Sequence, residues 1–168
     1  MSLEFLNTRR SIRRFTDEKV NDEDLKQILN TAFLAPSSKN GQPWHFIVVT
    51  DEKKRKEIAE NHPYMHMAEF APMVIIVCVD PEITPLGSCY SDASAATMNI
   101  LYAAKALGYG ACWCGVYPKD ERMDIFRKMF DIPENIIPYS AIPIGRPAKE
   151  NPPTPERYNE ERIHTQKW

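Results

Sequence analysis

The sequence predicts a single domain, residues 1–168, in which helices and strands alternate along the chain. The length lies within the usual range for one domain. The continuously apolar run 73–79 is typical of a strand that is covered on both faces. In segment 22–34 the apolar residues recur instead at the three- and four-residue spacing of an amphipathic helix. We therefore expect one domain that contains both types of element.

The composition narrows the class of protein. The chain is 43% hydrophobic and 26% charged, which is the balance of an ordinary globular domain. A net charge of −2 gives no sign of general nucleic-acid binding, and no apolar run approaches the ~20 residues of a membrane span. No signal segment is recognisable, and the four cysteines include no Cys-x-x-Cys pair, so we expect buried thiols and no metal site. These features favour a cytoplasmic protein without a membrane or nucleic-acid partner.

The first half of the chain predicts three helices and one strand. Asn21 is the expected N-cap of the second helix, because acidic residues fill the turn that follows it. Two prolines and several turn-forming residues make 35–43 a loop. The predicted elements are a helix at 3–9, a helix at 22–34, a strand at 45–50 and a helix at 51–61.

The second half predicts further strands around the longest helix. Small residues along one face of that helix suit close packing against another helix, and the glycines of 108–110 end it. The stretch 80–90 is expected to be a brief loop. The predicted elements are a strand at 73–79, a helix at 90–107, a strand or strand end at 111–117, a turn and helix at 118–130, and a strand at 139–145.

The C-terminal segment 146–168 differs from the rest of the chain. Four prolines interrupt it, so it forms neither a regular helix nor a central strand. It nevertheless carries Tyr158, Ile163 and Trp168, an apolar load unlike that of a disordered terminus. We expect this extended tail to pack along a surface, either of its own chain or of a partner subunit.

The run Arg9–Phe15 is the first feature that points to chemistry. It holds four arginines and a serine, and the planar guanidinium of arginine binds phosphate oxygens two at a time. By itself the cluster is equally typical of a solvated basic turn. The chain has no Gly-rich nucleotide loop, no paired-histidine metal spacing and no nucleophile elbow at Ser37 or Ser38. The remaining polar segments resemble the contacts of a bound organic cofactor that carries a phosphate.

Five segments of the chain, in order, resemble the nitroreductase family of FMN flavoproteins. The stretch that ends in Gln-Pro-Trp is the most specific of them. The segments are Arg9–Phe15, Ala35–Phe46, Asp92–Asn99, Leu107–Gly115 and Ile142–Pro147.

The resemblance implies an α+β, nitroreductase-like fold. Its central sheet is mixed, mainly antiparallel, and flanked by helices. The family forms homodimers with two FMN sites at the subunit interface, each built from both chains. The tail 146–168 is then expected to wrap the partner subunit.

The resemblance also implies a set of cofactor-binding residues, matched segment by segment. The first segment reaches the phosphate, the ribityl chain and the pyrimidine end of the ring through Arg9, Arg10, Ser11 and Arg13. The C-terminal basic motif, which closes on the phosphate, matches Gly145 and Arg146. The loop that reaches the flavin, typically from the other subunit, matches Pro36, Ser37, Ser38, Asn40 and Gln42. The segment beside the ring and its N5 matches Trp113, Cys114 and Gly115, whereas Arg14 has no assigned contact.

The implied activity is a two-step, ping-pong oxidoreduction. NAD(P)H gives a hydride to flavin N5 and departs, and a small organic acceptor (a nitroaromatic, a quinone or a related electrophile) is then reduced in the same pocket. Because the flavin supplies the chemistry, no catalytic side chain is assigned. No cysteine-rich ferredoxin module is recognisable, so the expected electron donor is diffusible NADH or NADPH.

Three other interpretations stay open at this point. The first is a non-catalytic FMN-binding redox sensor or flavin carrier on the same fold. The second is a binding module without flavin, in which the basic loop takes a nucleotide or an acidic partner. The third is a different flavin reaction, such as reductive dehalogenation or oxygen-dependent chemistry.

Overall fold

The computed structural model describes residues 2–84, 86–150 and 153–168, with the backbone alone at Leu86. Within these ranges the chain forms five α-helices and five strands, joined by loops and short 3-10 turns. The elements are α1 (Leu3–Asn7), α2 (Asp22–Phe33), β1 (Trp44–Val49), α3 (Glu52–Asn61), β2 (Met73–Val79), α4 (Leu86–Ala106), β3 (Gly110–Ala111), β4 (Cys114–Gly115), α5 (Asp120–Phe130) and β5 (Ile137–Gly145).

The strands of the described residues form one sheet in the order β1-β2-β5-β3, and β4 also pairs with β5. Every strand pair is antiparallel. A parallel bridge between Ser11 and Ala111 adds the N-terminal segment to the edge of the sheet. The prediction of an α+β fold with a mixed, mainly antiparallel sheet is therefore confirmed.

Helices cover both faces of the sheet, as the continuous apolar run of β2 predicts. All seven residues of β2 are buried, and successive side chains point to opposite faces. Val74 and Ile76 belong to a core that contains Ile58 of α3 and Phe126 of α5. The alternate residues of β2 belong to a second core, with side chains from α2 and α4. Among the described residues, no helix is both long enough and apolar enough to span a membrane.

Two helices show how well the sequence signals locate element ends. The Asn21 side chain accepts a hydrogen bond of 2.7 Å from the backbone N–H of Asp24, which confirms the predicted N-cap of α2. The predicted start of α4 at residue 90 is wrong, because the helix begins at Leu86. Gly87 and Ser88 are typical of loops, but here they lie in the first helical turn. The stretch 80–90 is thus only partly a loop.

The predicted strand at 111–117 is two short strands in one register. Ala111 pairs with Ile144 and Cys114 with Ala141, so the register is the same on both sides of the interruption. Between them the Cys112 N–H donates to the carbonyl of Pro143 at 3.3 Å. Proline has no N–H to return, so the ladder is broken at this point.

The tail starts against the N-terminal segment and then becomes exposed. Arg10 donates a hydrogen bond to the carbonyl of Pro153, and the Thr154 hydroxyl donates to the carbonyl of Asn7 at 3.2 Å. From residue 155 onward the side chains are exposed in the single chain. Packing of the tail on a partner subunit stays a prediction.

Gly110→Ala is expected to lower the free energy of unfolding by about 1–3 kcal/mol, the usual cost of overpacking. A Cβ at residue 110 would lie 2.6 Å from the Cβ and Cγ2 atoms of Ile12. Ile12 has little freedom to move, because its N–H donates to the carbonyl of Ala111 at 3.0 Å. Urea denaturation measures the change.

Gly87→Ala is the matched control for this substitution. Apart from the two chain neighbours and the nearby helix backbone, no atom lies within 4 Å of a Cβ at residue 87, and alanine is favoured over glycine in a helix by about 0.5–1 kcal/mol. This variant should therefore be as stable as the wild type or more stable. An unchanged denaturation midpoint for Gly110→Ala would contradict the close packing of residue 12 on β3.

Candidate functional site

The arginine-rich segment is held along the edge of the sheet. Ser11 forms a bridge with Ala111, and the N–H of Ile12 donates to the Ala111 carbonyl. Phe15, which is buried, forms a second bridge with Pro147. These contacts fix the backbone and turn the apolar side chains inward, so the polar side chains between them remain available to a ligand.

A cavity of about 410 Å³ lies over this segment and is rich in hydrogen-bond donors. It is lined by Arg9, Arg10, Ser11 and Arg13, and by Arg157 from the tail. None of the described residues that line it is a carboxylate. Four guanidinium groups without a carboxylate among the lining residues favour a multiply charged anion such as a phosphate monoester.

A larger cavity of about 760 Å³ adjoins the first, and Arg13 lines both. One wall is the segment 112–115, and aromatic side chains form another part of the lining. Tyr64 is 69% exposed and Phe70 is 67% exposed in the single chain, so apolar surface there is open to a flat ligand. Arg14, for which the sequence gives no contact, also lines this cavity.

Two side chains outside the predicted set hold the wall at Gly115. The Gly115 carbonyl accepts hydrogen bonds from His62 Nε2 and from Arg122, each at 3.0 Å. The Tyr64 N–H donates to His62 Nδ1 at 3.2 Å, which assigns the ring proton to Nε2. Burial lowers the pKa of His62 below 6.5, in favour of the neutral ring. The structure thus ties His62 to the wall of the cavity through the Gly115 carbonyl.

His62→Gln is expected to flatten the dependence of stability on pH below pH 6.5. Because the folded-state pKa of His62 is lowered, the unfolded chain binds a proton in this range that the folded chain does not. The contribution of His62 to stability is therefore fully present above pH 6.5 and is lost as the pH falls toward the lower folded-state value. Urea denaturation at a series of pH values measures the slope. The exposed His45→Gln is the control, and an equal slope in His62→Gln and wild type would contradict this role.

The structure does not bring Gly145 or Arg146 to either cavity. The Arg146 guanidinium donates to Glu18 at 3.1 Å and to the carbonyl of Leu107 at 2.6 Å. It also lies 4.0 Å from the centre of the Tyr109 ring. Gly145 is buried, where a Cβ would lie 2.5 Å from Pro72. Both residues thus have structural contacts in the single chain, and their predicted contact with a phosphate stays a prediction.

Arg157 is a cavity residue that the sequence interpretation missed. It lies in the tail, outside the five segments that carry the family resemblance. A sequence feature that could have indicated a role in the site is the combination of this basic residue with apolar residues in a proline-rich segment. The structure places its side chain with the N-terminal arginines.

The loop of residues 36–42 lines neither cavity. The Ser38 N–H donates to Asp92 at 3.0 Å, and the Gln42 N–H donates to the Ser37 hydroxyl at 3.0 Å. The Gln42 side chain donates to Asn40 at 3.2 Å, and both residues have positive φ. This internal network holds the loop in one conformation, with Asn40 and Gln42 exposed. Its predicted contact with the flavin of a partner subunit stays a prediction.

Comparisons with known proteins identify the family of the chain. The model of the nitroreductase family matches residues 6–62 and 63–146. A Methanothermobacter thermautotrophicus protein, provisionally named NADH dehydrogenase/NAD(P)H nitroreductase, is 46% identical over 167 residues, which cover 99% of this chain and 87% of the relative.

Two solved structures share the fold over nearly their whole length. An FMN-dependent nitroreductase from Clostridium difficile R20291 has a TM-score of 0.89 and 30% identity, with coverage of 99% of this chain and 100% of that one. A provisionally named nitroreductase from Desulfovibrio desulfuricans, solved in complex with FMN, has a TM-score of 0.85 and 32% identity, with coverage of 99% and 96%. The chain belongs to the nitroreductase family.

Proposed function

We propose that this protein is an FMN-dependent oxidoreductase that uses NAD(P)H to reduce small organic acceptors. The observation that carries the proposal is the pair of adjoining cavities that meet at Arg13. One is lined by arginines and the other largely by aromatic and apolar groups. FMN has the matching form, a dianionic phosphate at one end and a flat ring at the other.

The arginine-lined cavity would hold the phosphate. Arg9, Arg10 and Arg157 supply guanidinium groups from both ends of the chain, and Ser11 adds a hydroxyl. More than one arginine is needed, because a single cation does not offset the loss of solvation of a doubly charged phosphate. Arg146 is the weaker candidate for this contact, since its guanidinium is bound to Glu18 and to the end of α4.

The larger cavity would hold the ring against the segment 113–115. FMN held there would supply the redox chemistry, which is hydride uptake from NAD(P)H followed by reduction of the acceptor in a second half-reaction. The hydrogen bonds from His62 and Arg122 hold the Gly115 carbonyl, and they thereby keep this wall of the larger cavity in place. Arg13 contributes positive charge to both cavities, which favours negative charge on a ring bound beside it.

The complete site is proposed to require a homodimer. The exposed loop of residues 36–42 would reach the cavity of the partner subunit, and the tail would cover that subunit. The large exposed cavity is consistent with a broad range of acceptors that includes nitroaromatics, quinones and related electrophiles. None of these steps needs a protein acid or nucleophile.

Steady-state kinetics test the proposed reaction. Initial rates with NADH or NADPH, measured against a nitroaromatic, a quinone and an enone, should give parallel lines in double-reciprocal plots, as a ping-pong mechanism requires. Intersecting lines would contradict the two half-reactions. Bound FMN without turnover of any acceptor would support the sensor or carrier instead.

A further inference from the structure

A buried carboxyl group on α4 holds the loop of residues 36–42, and the proposed function gives it no role. Asp92 is 5% exposed, and one of its oxygens accepts the hydrogen bond from the Ser38 N–H at 3.0 Å. The other oxygen is buried and has no hydrogen-bond partner among the described residues. Burial of a carboxyl group with one oxygen unpaired is unfavourable for folding. Asp92 therefore calls for a role other than general stability.

The two ends of this loop are fixed by apolar packing on the same helix. Ala35, before the loop, and Trp44, after it, are buried in one cluster with Ala96 of α4. Ala96 lies four residues after Asp92, so the two residues share a face of the helix. The ends of the loop and the Asp92 carboxyl group thus rest on one rigid support.

The middle of the loop has a backbone conformation that its residue types do not favour. The angle φ is 52° at Lys39, 56° at Asn40 and 52° at Gln42. This left-handed region is unfavourable for residues other than glycine, although asparagine tolerates it better than most. Such a conformation persists where contacts from the surrounding structure impose it. The hydrogen bond from Ser38 to Asp92 is a contact of this kind, because it ties the loop backbone to α4.

Thr84 touches the same loop in a different way. It is 3% exposed, and a Cβ at Gly41 would overlap its methyl group. The Thr84 hydroxyl has no hydrogen-bond partner among the described residues. The contact of Thr84 with the loop is therefore steric, whereas that of Asp92 is a directional hydrogen bond to the backbone.

We propose that Asp92 is a positioning residue for the cofactor, which holds the loop of residues 36–42 in the conformation that meets the flavin of the partner subunit. The inference rests on the proposed function, in which this loop reaches that cavity. Asp92 binds the backbone at Ser38, so Asn40 and Gln42 remain exposed. Their amide groups can both donate to and accept from the polar edge of a flavin ring.

Limited proteolysis of the purified full-length protein measures how firmly Asp92 holds the loop. Trypsin cleaves after lysine and arginine, and Lys39 is exposed in the loop. The rate of cleavage follows the population of the open loop. Asp92→Ala leaves the Ser38 N–H without its acceptor, so cleavage at Lys39 should become about tenfold faster or more. Asp92→Asn keeps an acceptor oxygen and should stay within about threefold of the wild-type rate.

Two references separate this role from a general loss of stability. Thr84→Val removes a buried hydroxyl next to the loop without the loss of a described hydrogen bond, and it should be cleaved at Lys39 at the wild-type rate. Arg127 lies within α5, so cleavage there requires this helix to unfold, and its rate should be unchanged in Asp92→Ala. Equal cleavage at Lys39 in Asp92→Ala and wild type, or an equal increase at Lys39 and Arg127, would overturn the proposal.

The same assay on flavin-depleted and FMN-saturated protein tests the contact of the loop with the cofactor. Bound FMN should slow cleavage at Lys39 in the wild type, because a ligand that contacts the closed loop stabilises it. Bound FMN that leaves this rate unchanged would overturn the inference and leave the proposed oxidoreductase standing. A protein that binds no FMN would contradict the proposed function and, with it, the contact with the cofactor, whereas the variants would still show whether Asp92 holds the loop.

Discussion

Replacing Arg9 and Arg157 together by alanine is expected to release FMN from the protein. Both guanidinium groups line the donor-rich cavity, and a hydrogen bond to a charged group contributes about 1.5–3 kcal/mol. Loss of two such contacts, about 3–6 kcal/mol, weakens binding by about 10²- to 10⁴-fold. Flavin retained after desalting, and a dissociation constant from fluorescence titration, measure the effect.

Two matched variants separate this account from its alternatives. Arg162→Ala removes an exposed arginine of the same tail that lines neither cavity, and it should keep FMN. Arg146→Ala should keep FMN but unfold at lower urea, because Arg146 binds Glu18 and the carbonyl of Leu107. If Arg146→Ala releases FMN and the double variant retains it, the phosphate lies at the C-terminal basic motif and not in the cavity described above.

Deleting residues 158–168 is expected to convert a dimer into monomers. The deletion keeps Arg157 but removes Tyr158, Ile163 and Trp168, which are 71%, 56% and 101% exposed in the single chain. Burial of one such side chain contributes about 1.5–3 kcal/mol, and a symmetric dimer buries two copies of each. Loss of even about 3 kcal/mol of this burial free energy would weaken dimerisation by more than about a hundredfold.

Sedimentation or light scattering at micromolar concentration measures this change. The variant Glu160→Gln/Glu161→Gln is the control, since it removes charge from the same part of the tail but no apolar surface. A full-length protein that is monomeric at this concentration, or a truncated protein that remains dimeric, would contradict the proposed role of the tail.

The sequence predicts the parts of the fold that depend on local signals. The apolar run of β2 and the Asn21 cap of α2 are local, and both are confirmed. The interruption between β3 and β4 depends on Pro143 in a different strand, about thirty residues away in the chain. The predicted start of α4 is wrong because glycine is typical of loops in general, whereas Gly87 lies in the first turn of the helix. The space around it would also accept a larger residue, so its presence there does not reflect a steric requirement. Such features are set by the tertiary partner and not by the segment itself.

The same distinction applies to the candidate site. The N-terminal arginines were predicted because they are close together in sequence, and the structure brings them together on one cavity. Arg157 joins them because the tail returns to the N-terminal segment, where Arg10 contacts Pro153 and Thr154 contacts Asn7. His62 and Arg122 act on the backbone of Gly115, a contact between distant segments that residue types alone do not reveal. Arg146 fits the family motif, yet its nearest partners are a carboxylate and a helix end.

Anaerobic reduction of the purified protein tests the central claim most directly. The protein is predicted to carry one FMN per chain, to lose its visible flavin absorbance on addition of one equivalent of NADH or NADPH, and to recover it on addition of an oxidised acceptor. A colourless protein, or bound flavin that neither nucleotide bleaches, would contradict the assignment as an NAD(P)H-dependent FMN oxidoreductase.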